Sequence, residues 1–155
     1  AFAAWAVLAQ MFVARGAGFV VSLLALVWVA DIAAYFAGRA FGKRKLAPRV
    51  SPGKTIAGAV AGVLGAVLWI GLSSLWEGTF GHALVERWTF WLALPIAALL
   101  GVLSIVGDLF ESLLKRRAGR KDSSTLLPGH GGVYDRIDAI LPVAPFALLL
   151  SGVLF

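Results

Sequence analysis

The chain has 155 residues, of which 60% are hydrophobic and only 14% charged, with a mean hydropathy of +0.89. A soluble domain carries roughly 25% charged residues, so this composition belongs to a protein whose solvent is largely lipid. The absence of cysteine excludes a disulfide framework and any thiolate metal site. The net charge of +6 raises the question of nucleic acid. That partner is not expected, because the charge sits on two short loops bounded by apolar segments rather than on a soluble surface.

In chain order, apolar stretches predict helices at 1–14, 18–38, 56–76, 88–114 and 139–155. The expected fold class is therefore all-α, a polytopic integral-membrane helical bundle of about five transmembrane helices. The first stretch is short for a span, begins inside an apolar run and lacks an initiator Met. It is expected to be a truncated helix of a longer protein rather than a signal peptide. Pro95 is expected to kink the fourth helix.

The connectors differ in charge. Arg39, Lys43, Arg44, Lys45, Arg49 and Lys54 fall in the second, and Lys115, Arg116, Arg117, Arg120, Lys121 and Arg136 in the fourth; together they hold twelve of the 14 basic residues. Basic loops stay on the cytoplasmic side, so these two are expected there and the connector from Glu77 to Arg87 on the opposite face. Trp76, Trp88 and Trp91 then mark the non-cytoplasmic interface, where indole rings settle.

Three acidic residues, Asp31, Asp108 and Glu111, lie in or at the ends of apolar helices, where an ionised carboxylate costs about 3 kcal/mol or more unless it finds a partner. They are read either as members of interhelical ion pairs or as part of an ion site. Asp108, Ser112 and Lys115 follow i, i+4, i+7 spacing and share one helix face leading into the fourth connector. That connector contains Lys121-Asp122 and Pro128-Gly129-His130-Gly131-Gly132, then Asp135-Arg136-Ile137-Asp138. Glycines around His130 allow backbone N–H groups to approach a phosphate, and lysine and arginine neutralise its charge. Asp135 and Asp138, at i and i+3, are read either as oxygen ligands for a hard cation such as magnesium or as a helix cap with a second dipole-favoured acid. In the second connector, Ser51-Pro52-Gly53-Lys54-Thr55 has the look of a phosphate-binding turn opening a helix, without full Walker spacing.

These blocks together resemble the phosphatidate cytidylyltransferase family. Ser112-Leu113-Leu114-Lys115-Arg116, Lys121-Asp122, Pro128-Gly129-His130-Gly131-Gly132 and Asp135-Arg136-Ile137-Asp138 match that family's pattern in residue type and spacing. Asp31 through Tyr35, Gly38-Arg39, Gly42-Lys43 and Ser51-Pro52 with Lys54-Thr55 resemble its second block. Ile32, where Thr is usual, and Ala57, where Glu is frequent, depart from it. The resemblance implies the C-terminal catalytic part of a longer enzyme of the bacterial inner membrane. That enzyme transfers CMP from CTP to phosphatidic acid at a site facing the cytoplasm. It also implies a Mg2+ cofactor, with room for a second, monovalent ion, and a homodimer embedded in membrane lipid.

On that basis Asp108, Asp135 and Asp138 are the expected metal ligands and, with Lys121, the expected catalytic residues. Ser112, Lys115, Arg116, Arg136 and His130 with Gly131 and Gly132 are expected at phosphates, joined by Arg39, Ser51 and Lys54. Two other readings were weighed. A CTP-dependent polyprenol kinase would release CDP instead of pyrophosphate. An ion-coupled transporter would also bury acids in apolar helices, but has no use for a long basic, glycine-rich loop.

The charge asymmetry predicts that single cysteines placed at positions 82 and 123 label from opposite sides of a sealed vesicle with a membrane-impermeant maleimide; labelling from the same side would overturn the topology.

Overall fold

The computed structural model describes residues 2–118 and 139–153. Helices α1 (Phe2–Arg15) and α2 (Ala17–Phe41) are followed by a hairpin of strands β1 (Lys45–Ala47) and β2 (Ser51–Thr55). Then come α3 (Ile56–Ser73), the short α4 (Phe80–Trp88), α5 (Phe90–Arg117) and α6 (Ile140–Ser151). Of these, α2, α3 and α5, with 25, 18 and 28 residues, are long and apolar enough to cross a membrane; at 1.5 Å per residue the shortest covers about 27 Å of a hydrocarbon core roughly 30 Å thick. The apolar helices α1 and α6 are shorter, at 14 and 12 residues. The described residues thus give an all-α integral-membrane bundle with three candidate spans, against the five expected. Helical assignment in α5 continues through Pro95.

Small residues decide how the spans pack. Gly58, Gly62 and Gly65 on α3 face Ala30, Ala33 and Ala34 on α2. A Cβ added at Gly58 would lie 2.7 Å from the Ala34 carbonyl oxygen, and one at Gly62 would lie 3.1 Å from that of Ala30. Without side chains between them the two backbones approach closely, and the contact is made by dispersion rather than by expelling water, as lipid-embedded helices require. On another side of α3, Gly101 of α5 lies against Val63 and Ala66. Helix α3 is therefore the centre, flanked by α2 and α5.

The end of the bundle away from the hairpin is tied by directed hydrogen bonds. Ser22 Oγ accepts from the Phe80 amide at 2.7 Å, Trp69 Nε1 donates to the Ser22 carbonyl at 2.8 Å, and Trp88 Nε1 donates to the Leu150 carbonyl at 2.7 Å. The connector expected between Glu77 and Arg87 is in large part helix α4. Thr79 Oγ1 caps it by accepting from the His82 amide at 3.2 Å, and Phe80, Ala83 and Leu84, at helical spacing, are buried.

The second connector is also more ordered than a loop. β1 and β2 pair antiparallel, Lys45 opposite Thr55 and Ala47 opposite Ser51, across a turn in which the Val50 amide bonds the Ala47 carbonyl at 3.1 Å. Pro48 occupies the second position of that turn, where its fixed φ is favoured. Ser51 to Thr55 is consequently a strand rather than a turn, and it opens α3 directly as expected. Thr55, extended at φ −122°, caps α3 by accepting from the Gly58 amide at 3.1 Å.

Gly58→Ala is expected to lower the thermal stability of the detergent-solubilised protein by about 1–3 kcal/mol, since the Ala34 carbonyl must move. Gly71→Ala is the control: nothing lies within 4 Å of an added Cβ there. Equal melting of the two variants would show that the α2–α3 approach is not the tight contact described.

Candidate functional site

A cavity of about 780 Å³ opens where the ends of α2 and α5 meet the hairpin. Helix α2 supplies Asp31, Tyr35 and Arg39; the hairpin supplies Lys45, Ser51 and Lys54; α5 supplies Asp108; the closely packed start of α3 forms part of the wall at Gly58. The glycines decide this shape. Gly38, Gly42 and Gly58 surround the buried Thr55 so closely that a Cβ at Gly38 would lie 2.9 Å from its hydroxyl. The hairpin is thereby held down onto α2, and Lys54, next to Thr55, is carried to the cavity.

Four residues expected at the site from sequence, Arg39, Ser51, Lys54 and Asp108, thus share one cavity although 69 positions separate the first from the last. Lys54 Nζ forms an ion pair with Asp108 Oδ2, linking hairpin to α5. Both side chains keep part of their surface exposed, 24% and 34%, so an anion entering the cavity can reach the ammonium and a cation the carboxylate. Arg39 Nη1 donates to the Tyr35 hydroxyl at 3.3 Å, one turn back along α2.

The remaining expected residues divide into two groups. Ser112, Lys115 and Arg116 are described but lie beyond the cavity wall. Lys115 Nζ pairs with Glu111 Oε2 at 2.7 Å. Arg116 Nε donates to the Val50 carbonyl at 3.4 Å, fastening the end of α5 to the hairpin turn. Lys121, His130, Gly131, Gly132, Asp135, Arg136 and Asp138 lie outside the described residues, and with them the expected convergence of Asp108, Asp135 and Asp138. Among the described residues no three His, Cys, Asp or Glu side chains gather in a metal-holding group. Ile32 and Ala57, the two departures from the family pattern, are not part of the cavity wall.

Tyr35, Lys45 and Thr55 line the cavity without a site role from sequence, and Asp31, expected in an interhelical ion pair or an ion site, lines it too. For Asp31 the signal was present, a carboxylate inside an apolar helix. For Lys45 and Thr55 it was not, because only the hairpin turns them toward α2.

A model of the cytidylyltransferase family matches residues 1–154. The chain is 53% identical over 134 residues to a phosphatidate cytidylyltransferase of Pseudomonas aeruginosa, covering 86% of this chain and 47% of that protein. It is 48% identical over 123 residues to one of Haemophilus influenzae (78% and 41%), and 41% identical over 139 residues to one of Thermotoga maritima (90% and 51%). The chain spans about half the length of the curated relatives it matches.

The Lys54–Asp108 pair predicts a measurable coupling. Lys54→Met and Asp108→Asn should each destabilise the protein, and the double variant should be less destabilised than their sum by about 1 kcal/mol in thermal melts without nucleotide. Strict additivity would show that the pair carries no energy.

Proposed function

Because this chain belongs to the cytidylyltransferase family, we propose that it forms the membrane catalytic part of a phosphatidate cytidylyltransferase, joining the CMP moiety of CTP to phosphatidic acid and releasing pyrophosphate. The single observation that carries the reading beyond family membership is the cavity itself. It is walled by helices that are lipid-spanning in length and apolarity, and bordered by a basic hairpin, so a water-soluble nucleotide and a lipid phosphate have a common meeting place.

In the proposed reaction an oxygen of the phosphatidate phosphate attacks the α-phosphorus of CTP. The bond from that phosphorus to the bridging oxygen breaks, and pyrophosphate leaves with the electron pair. A phosphate monoester is already an anionic nucleophile, so the protein has chiefly to bring two anions together and to neutralise charge as it develops. Lys45, Lys54 and Arg39 supply positive charge from the cavity wall; Lys115, Arg116, Lys121 and Arg136 supply it from the adjoining end of α5 and the connector that follows. His130, Gly131 and Gly132 form the phosphate loop in this reading.

Carboxylates in the cavity wall support magnesium as the ion in this reading. Asp31 and Asp108 place hard carboxylate oxygens in the cavity wall, and oxygen ligands are what that ion selects. Asp108, Asp135 and Asp138 would hold it, and when bound it supplies Lewis-acid neutralisation of phosphate charge. Homodimer formation, residence in the bacterial inner membrane and a site open to the cytoplasm belong to the same proposal; the basic character of both connectors supports the orientation.

The test is carried out on the full-length parent, with CTP, phosphatidic acid and magnesium. A chloroform-soluble cytidine product with stoichiometric pyrophosphate is expected; release of CDP with a phosphorylated lipid would overturn the assignment. In the same assay Asp108→Asn, Asp135→Asn and Asp138→Asn should each remove nearly all activity while folding is retained, since Asn preserves shape and capping but not charge. Near-normal rates at ordinary magnesium in all three would remove the metal from the mechanism.

A further inference from the structure

Glu111 is an acid in a place that opposes one. It is 3% exposed and lies within the last two turns of α5 (Phe90–Arg117), where burial and the negative end of the helix dipole both disfavour a carboxylate. Its Oε2 meets Lys115 Nζ at 2.7 Å, with the lysine side chain 21% exposed. The acid precedes the base by four residues, the better of the two orders for such a pair. A lysine near a helix C-terminus is favoured without any acid beside it. Neutral groups can often replace a buried ion pair at no loss of stability. Stability therefore gives little reason for Glu111; a fixed position for Lys115 gives a direct one.

Lys115 follows Asp108 by seven residues, which places both on one side of α5 with the lysine about 10 Å further toward the helix end. Its four-carbon stem is flexible, and the ion pair with Glu111 narrows the arc it sweeps. Arg116, the next residue, is already held against the hairpin turn through the Val50 carbonyl. Of the three cations in the last turn of α5, Lys115 and Arg116 thus each have an oxygen partner.

We propose that Glu111 is a positioning residue for the transfer reaction, holding the Lys115 ammonium at the end of α5 on the side that carries Asp108, where it meets a substrate phosphate. This rests on the reading of Lys115 as a phosphate contact under Proposed function. Glu111 itself touches no substrate. It restricts the lysine before the anion arrives, so that less freedom is lost when the anion binds.

The test compares Glu111→Gln, Lys115→Met and the double variant in the full-length parent, measuring kcat and KM for CTP and for phosphatidic acid together with thermal stability. Lys115→Met is expected to lower kcat/KM about 100-fold, the usual loss on removing one charge-stabilising donor. Glu111→Gln should fall at least tenfold, and the double variant no lower than Lys115→Met alone. Stability should move differently: Lys115→Met removes the ion-pair partner at 2.7 Å from a buried carboxylate and melts early, while the neutral double variant regains most of that loss yet stays inactive.

A normal rate in Glu111→Gln beside an impaired Lys115→Met would overturn the positioning role and leave the proposed reaction standing, as would losses that multiply in the double variant. A fully active Lys115→Met with the cytidine lipid still formed would overturn the phosphate contact and the inference with it. Should Glu111→Gln fail to fold, Glu111→Asp keeps the charge but draws the carboxylate back by one methylene. A reduced kcat/KM in folded protein is then expected, and an unchanged one overturns the proposal.

Discussion

The close approach of α2 and α3 is the contact on which the rest of the molecule depends. In hydrocarbon, two helices gain nothing by hiding apolar surface from each other, and what holds them is the density of contact their surfaces permit. Gly58, Gly62 and Gly65 against Ala30, Ala33 and Ala34 provide that density, and the same small-residue stripe continues to the C-terminal end of α2 at Gly38 and Gly42. There it receives Thr55 instead of another helix. One packing rule thus sets the span geometry and then seats the hairpin. Without a bare backbone at Gly38 and Gly42, the Thr55 cap could not sit where it does, and Lys54 could not reach Asp108.

A second constraint follows from lipid. Charges near the hydrocarbon boundary need partners, and the described pairs form two tiers along α5. Lys54 with Asp108 borders the cavity, and Lys115 with Glu111 lies a little over one turn further on. Both join an acid of α5 to a lysine, but they differ in kind. The first crosses between elements and has exposed surface on both partners, so an incoming ion or phosphate can exchange with it. The second lies within one helix and buries its acid, while the lysine side chain keeps 21% of its surface exposed. This division suits a site that must be charged without a substrate and recharged with one.

The five helical stretches were legible in the sequence because apolar length is a strong signal, and the helix ends fell within a few residues of those expected. α4 was not, because Phe80, Ala83 and Leu84 make too short a stripe to distinguish from a polar connector. The hairpin was hidden for a different reason. Lys45 to Thr55 shows no alternation of apolar and polar residues, and contains two prolines and a glycine, so nothing in the local pattern announces strands. Its structure depends on what lies beneath it, a row of glycines on α2 that carries meaning only once α2 and α3 are placed side by side.

The same distinction governs the site. Arg39, Ser51, Lys54 and Asp108 were readable as chemistry-bearing residues, and the cavity brings them together. The i, i+4, i+7 spacing of Asp108, Ser112 and Lys115 was read as a single functional face. Periodicity correctly put them on one side of a helix, but it could not tell which depth along that side the cavity reaches. Asp108 lines the cavity, while Lys115, nearly two turns further along and paired with Glu111, lies beyond its wall. Spacing reports angle around the axis; the partner that fixes a flexible side chain is a tertiary fact. A long basic residue therefore becomes a defined part of a site only when a neighbour restricts it, and in α5 that neighbour is an acid which the membrane and the helix dipole would both otherwise disfavour.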